Sequence, residues 1–228
     1  MVYAAETKEK EFEKVMDGYT GLLICRLHNL CVKAHPIALI PVLIDLWGEQ
    51  KVFEEVADCA IPDDDHIEAY PKNEEFLFAI GKGVLEVHPE FILKEKTTKV
   101  GENDLRFLSF KIPPVDKNRR DILNNAVDAF YTEAKGQYAD TKAKYYPQLL
   151  SNLQDEAKEE LDNYKKRFED AYKNNCDIAE QTVNDKKKEI EEAYQRYLQN
   201  KATADQSAQE QKAAEGEDVK SQFKMPTE

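Results

Sequence analysis

Apolar residues recur at three- and four-residue intervals near the start of the chain. Phe12, Val15, Met16, Tyr19, Leu22, Leu23, Leu27 and Leu30 share one side of a helical wheel, and charges fill the gaps of the first half. This spacing predicts an amphipathic helix over residues 6–33, with Gly18 and Gly21 each costing up to about 1 kcal/mol relative to alanine. Pro36 stops it near Ala34 and His35, because proline disfavours helical geometry in the residue before it. From 37 to 112 the pattern shortens and becomes rich in β-branched, aromatic and aliphatic residues. Segments 37–47 and 52–61 read as two strands joined by a tight turn at Gly48, Glu49, Gln50 and Lys51. A short strand at 67–70 follows, then a helix over 74–86 whose Phe76, Leu77, Ile80 and Val84 share a face. A strand at 91–93, a polar turn at 101–104 and the alternation Leu105, Phe107, Ser109, Lys111 complete a small mixed α/β unit.

The pattern changes again within residues 110–123, FKIPPVDKNRRDIL. Pro113 and Pro114 lack backbone donors and hold their predecessors extended, so the strand must stop there. Asp116 is placed to cap a helix that opens with Ile122, Ala126, Phe130 and Ala134 at helical spacing. Helical sequence then continues almost to Gln199, with Tyr145, Tyr146 and Pro147 as the one expected interruption. The series Leu149, Leu153, Ala157, Leu161, Tyr164, Phe168, Tyr172, Cys176, Ala179, Val183, Ile190, Tyr194 and Tyr197 keeps the three-four alternation of a packed bundle. The expected architecture is α+β: a three-helix bundle from 1–35 and 113–200, an inserted α/β domain at 36–112, and a disordered acidic tail at 201–228. Two rigid bodies joined by Ala34, His35 and Pro36 on the way out and by Pro113 and Pro114 on the way back imply an L-shaped molecule with a hinge.

Composition narrows the chemistry. The 228 residues are 41% apolar, and 45 acidic against 32 basic residues give a formal charge of -13, which argues against general attraction to DNA or RNA. Any RNA contact must come from a local basic patch. Lys117, Arg119 and Arg120 draw attention because they occupy a helix start, where the dipole disfavours cations by about 0.3–1 kcal/mol each. Asp116 and Asp121 offset part of that cost. Cys25, Cys31, Cys59 and Cys176 lack CxxC spacing and do not group with His28, His35, His66 and His88, so free thiols are expected rather than a metal site. Asp63, Asp64 and Asp65 read as a solvated turn, and the lone GKG at Gly81 lacks the rest of a phosphate loop. The expectation is a protein without a catalytic centre, metal or cofactor. The N-terminal residues have no signal-like apolar core, and the apolar run 37–47 is too short for a bilayer, which predicts a cytoplasmic protein.

With these residues at its joints, the chain resembles the ribosome recycling factor family. The family's R-A-H-P segment corresponds to Lys33, Ala34, His35 and Pro36, and its P-P-L-T-E-E-R-R to Pro113, Pro114, Val115, Asp116, Lys117, Asn118, Arg119 and Arg120. Between them Asp45, Gly48, Val56, Ala57, Pro71, Ala79 and Ile80 fall in register, so the resemblance spans residues 6–198. It implies a monomer shaped like a transfer RNA, whose bundle lies on large-subunit ribosomal RNA and whose small domain meets elongation factor G during disassembly of the post-termination ribosome. No membrane or DNA partner is implied. The RNA-binding residues it implies are Lys33, Arg119, Arg120 and Lys142, and Lys135 and Lys144 lie nearby as further candidates. Several family arginines are absent: their positions hold Leu30, Lys33, Ala139, Lys142 and Ala143, and lysine keeps charge without the bidentate phosphate geometry. The alternative is an interaction protein that keeps the architecture and binds a non-ribosomal partner through its long acidic last helix.

Overall fold

Helix α1 (Val2–Asn29) ends before the apolar pattern does. The backbone N–H of Ala34 is drawn instead to the carbonyl of Asp64 at 2.6 Å, so the chain leaves helical geometry to dock on the insertion. The computed structural model describes residues 2–101, 103–153 and 158–222. After a 3-10 turn at Pro36–Leu39, strands β1 (Leu43–Leu46) and β2 (Glu49–Val52) pair antiparallel. Their turn is Trp47 and Gly48, both at positive φ (55° and 91°), and not the 48–51 segment expected. Two positive-φ residues match the twist of a two-residue hairpin, which places the reversal one step earlier. The second expected strand is also divided, into α2 (Phe53–Val56) and β3 (Ala57–Asp63).

Strands β4 (His66–Pro71), β5 (Ile92–Val100) and β6 (Asn103–Lys111) join β3 in an antiparallel sheet of order β3-β4-β6-β5. Helix α3 (Leu77–Val87) packs against this sheet and the hairpin. The GKG segment lies inside α3 and has a packing role: a Cβ on Gly83 would come within 2.7 Å of both Ile44 Cδ1 and the Leu43 carbonyl. No phosphate loop is formed there.

Helices α4 (Lys117–Asn152) and α5 (Lys158–Gln222) complete a bundle with α1. The expected break at Pro147 does not occur: Pro147 lies within α4, and the helix ends at Leu153. Neighbouring rings hold that region, with Tyr145 against Phe12 and Tyr146 against Phe168 at 6.0 and 5.4 Å, so packing offsets the lost helical hydrogen bond. The disordered tail expected at 201–228 is also corrected for residues 201–222, which continue α5; residues 223–228 lie outside the described residues. Ala, Gln, Glu and Lys are strong helix formers, and a shortage of large apolar residues removes a core without removing that propensity.

The buried apolar residues fall into two clusters. One joins α1, α4 and α5 around Phe12, Leu27, Val127, Tyr138, Phe168 and Ile190; the other joins residues 31–112 around Ile44, Ile67, Ile80, Val84 and Phe110. Cys31 and Ala34 belong to the second, so the change of core precedes Pro36. Residues 36–112 carry 16 acidic and 8 basic residues, a net -8, whereas 1–35 and 113–200 together carry 23 and 20, a net -3.

Candidate functional site at the joint

Both connecting segments meet the turn between β3 and β4. Ala34 N–H donates to Asp64 O, and Ile112 N–H donates to Asp65 O at 2.7 Å. Asp63 binds the ring of His66 at 2.8 Å and caps the Asp65 N–H, while the Asp64 carboxylate reaches Arg196 of α5 at 3.2 Å. The three aspartates form an exposed turn, as expected, and its backbone also holds two connecting segments of the chain together. His35 Nδ1 accepts from Ile37 N–H and caps the 3-10 turn that Pro36 begins. Pro113 O accepts from the Arg119 guanidinium, and Pro114 O accepts from Asp116 N–H at 3.2 Å. The structure thus brings Ala34, His35, Pro36, Pro113 and Pro114 to one place.

The cations named from the sequence divide into groups. Asp116 caps α4 by accepting from Arg119 N–H at 2.8 Å. The Arg119 guanidinium then turns inward, donating to Cys31 O at 2.8 Å and to Pro113 O. Burial pulls its pKa below the ordinary arginine value, and Glu90, Cys31 and Asp116 act in the opposite sense. Arg119 therefore ties the end of α1 to the start of α4 and presents no free guanidinium for phosphate.

Arg120, Lys135 and Lys142 fall within about 60° of one another around α4 at 100° per residue, so they form a stripe along the seam with α5. Arg120 lies 4.4 Å over the Tyr194 ring, 2.9 Å from Asp121 and 3.9 Å from Glu191. Lys135 lies 4.4 Å over Tyr131. Lys142 lies 4.4 Å over Tyr172 and pairs with Glu169 at 2.7 Å. Lys144 points to another side and lies 5.2 Å over Tyr145. Lys33 is exposed at the edge of a cleft shared with Asp64, Glu189, Glu191 and Glu192. The six cations do not converge on one open face, and carboxylates stand beside three of them.

Sequence reasoning missed the residues beneath the joint. His88 is 2% exposed; its Nε2 donates to Ala38 O at 2.7 Å and its ring stacks on Phe91 at 4.5 Å. Cys31 Sγ lies 3.9 Å from Nδ1 and Glu90 Oε1 3.6 Å. Burial disfavours the charged ring, but Cys31, Glu90 and the Ala38 carbonyl outweigh it and push the His88 pKa up to about 10. The Cys31 thiol and the His88 ring lie side by side, but both are buried, and a ring held charged has no lone pair with which to act as a base toward the thiol. The available signal was that His88-Pro89 repeats the His35-Pro36 step. Among the described residues no group of His, Cys, Asp and Glu could hold a metal, and no helix is long and apolar enough to cross a membrane.

No family model and no curated protein matches the chain. Solved structures do. A solution structure of the ribosome recycling factor aligns with a TM-score of 0.65 and 16% identity, over 84% of this chain and all of that one. Models for the T. thermophilus ribosome recycling factor and the E. coli elongation factor G bound to the E. coli post-termination complex contain a chain that aligns with a TM-score of 0.51 and 18% identity, over 82% of this chain and 98% of that one. The chain has the ribosome recycling factor fold.

Proposed function

We propose that this chain is a ribosome-associated factor acting in disassembly of post-termination ribosomes or in a related ribosome-binding role. The observation that carries the reading is the extent of the fold likeness, which covers 84% of this chain and the whole of the recycling factor. In this reading the bundle lies on large-subunit ribosomal RNA, and a GTPase like elongation factor G is the second partner. Lys33, Arg120, Lys135, Lys142 and Lys144 supply the RNA contacts. Arg119 acts indirectly, by fixing the joint. The carboxylates beside Arg120 and Lys142 weaken this interface without abolishing it. Exposed ion pairs are worth about 0–1 kcal/mol, so phosphates can displace them at little cost.

Sedimentation with purified ribosomes at low and moderate salt tests the proposal. The wild type should co-sediment, and more weakly as salt rises; Arg120→Ala with Lys142→Ala should reduce both the binding and its salt dependence. A wild type that never co-sediments, or a double variant that binds like it, overturns the reading. The second reading, a non-ribosomal partner bound through α5, is favoured by one observation: Glu169 and Glu191 of that helix already stand beside two of the candidate RNA-binding cations, Lys142 and Arg120. A pulldown dominated by one non-ribosomal protein would support it.

A further inference from the structure

We propose that the groove between α3 and the β5–β6 ribbon docks a short protein segment carrying an apolar anchor flanked by lysine or arginine. A helix lying on one sheet needs one apolar stripe, and α3 has it in Leu77, Ile80 and Val84, all buried. Phe78 and Leu85, two helical turns apart, form a second. They line a groove of about 570 Å³ with Leu93 and Leu108, and Phe78 stands 83% exposed. Leu85 is half-buried at the edge of the insertion's core, and Phe78 lies outside that core. The size of the groove suits a few apolar side chains of a partner.

The charge at the rim selects the occupant. Arg106 is paired with Glu95 at 2.5 Å and Lys82 with Glu86 at 3.6 Å, so each cation near the groove is matched by a carboxylate and the balance of the rim is set by Glu74 and Glu75. Glu74 and Glu75 make no ion pair among the described residues, and the insertion around them carries -8. A basic segment is therefore attracted, and a phosphate backbone is repelled. Another exposed aromatic group stands near the rim through its ring partner: Trp47, 80% exposed at the β1–β2 turn, meets Phe76, the residue after Glu75, edge-on at 5.9 Å. The groove lies on the small domain, which the ribosomal reading also turns toward a protein, but the proposal rests on the groove's own lining and charge, so its failure leaves that reading standing.

The test uses the full chain with methyl-labelled leucines and a fluorescent helical peptide of leucine and lysine, beside a counterpart with glutamate in place of lysine. The lysine peptide should bind and shift the Leu85, Leu93 and Leu108 methyls, while the glutamate peptide should not. Phe78→Ser should weaken binding about tenfold, as loss of a central aromatic anchor does. Glu74→Lys with Glu75→Lys should weaken it about tenfold for the lysine peptide and admit the glutamate peptide. Both changes are on the surface, and an unchanged circular dichroism spectrum shows that each variant folds. Methyl shifts elsewhere, variants that bind like the wild type, or displacement of the peptide by oligouridylate would each overturn the proposal.

Discussion

Along the α4–α5 seam of the bundle, Arg120, Lys142 and Lys187 each meet a carboxylate of the neighbouring helix, and Arg120 and Lys142 also lie over tyrosine rings. On the insertion, Trp47 and Phe78 stand exposed and Glu74 and Glu75 lack an ion-pair partner among the described residues. Deep in the bundle a set of polar side chains is partnered internally, although Asn29 Oδ1 at the end of α1 is buried without a partner. Thr20 donates to Asn175 Oδ1 at 2.5 Å and accepts from the Tyr138 hydroxyl at 2.7 Å, which joins all three helices by one buried network. Such a network costs little only while every member is partnered, so it fixes the helices in one register. The contrast is one of cover: cations of the bundle seam sit beside carboxylates that a partner must displace, whereas Trp47 and Phe78 of the insertion stand uncovered.

The strongest attempt to break this comparison is to damage the bundle alone. Phe168 is 1% exposed and stacks on Phe12 with ring centroids 3.8 Å apart. Phe168→Ala should cost about 3–5 kcal/mol, the range for removing a buried aromatic ring. Chemical denaturation followed by helical ellipticity measures the loss. Insertion amide signals that persist after the helices have melted would support two separately stable cores, whereas a single shared transition would show that the joint couples them.

The division into helical and mixed parts was legible because the period of the apolar residues changes at the prolines, and periodicity reports burial directly. The Asp116 cap was legible for a similar local reason. What escaped the sequence depends on contacts between distant segments. The Asp64 and Asp65 carbonyls receive N–H groups from two remote connections, and nothing local distinguishes that turn from a solvated one. Arg119 and Arg120 are adjacent in sequence, yet about 100° of helical rotation sends one inward to Cys31 and the other to the seam. Pro147 misled for the opposite reason, since aromatic packing overrode a strong local signal.

His88 gives a sharper test, because it lies where α1, α3 and the 3-10 turn meet. The groups around its ring are Cys31, Glu90 and the Ala38 carbonyl, with Arg119 acting on Glu90 from α4. A folded-state pKa of about 10 lies above the ordinary 6.5, so the charged ring contributes stability that is fully present below pH 6.5. That contribution is lost as pH rises through 10. His88→Gln should cost about 2 kcal/mol at neutral pH, within the range for leaving buried polar partners unsatisfied. Stability measured from pH 6 to about 10.5 should show the difference between wild type and variant shrinking as the ring titrates. A constant difference would mean that packing against Phe91, rather than charge, is what His88 contributes.

The smallest expected effect addresses the seam itself. Arg120 is partly exposed; its contact with Asp121 raises its pKa, with Glu191 and Tyr194 adding to that. With its partners in solvent and its charge screened, Arg120→Ala should leave the denaturation midpoint close to that of the wild type, measured by the same denaturation. A substitution with so little effect on folding is informative about binding, since any loss of ribosome co-sedimentation then belongs to the interface. A much larger loss of stability would instead make the cation–tyrosine contact part of the bundle's own packing, and Arg120 would join Arg119 among the residues that hold the joint.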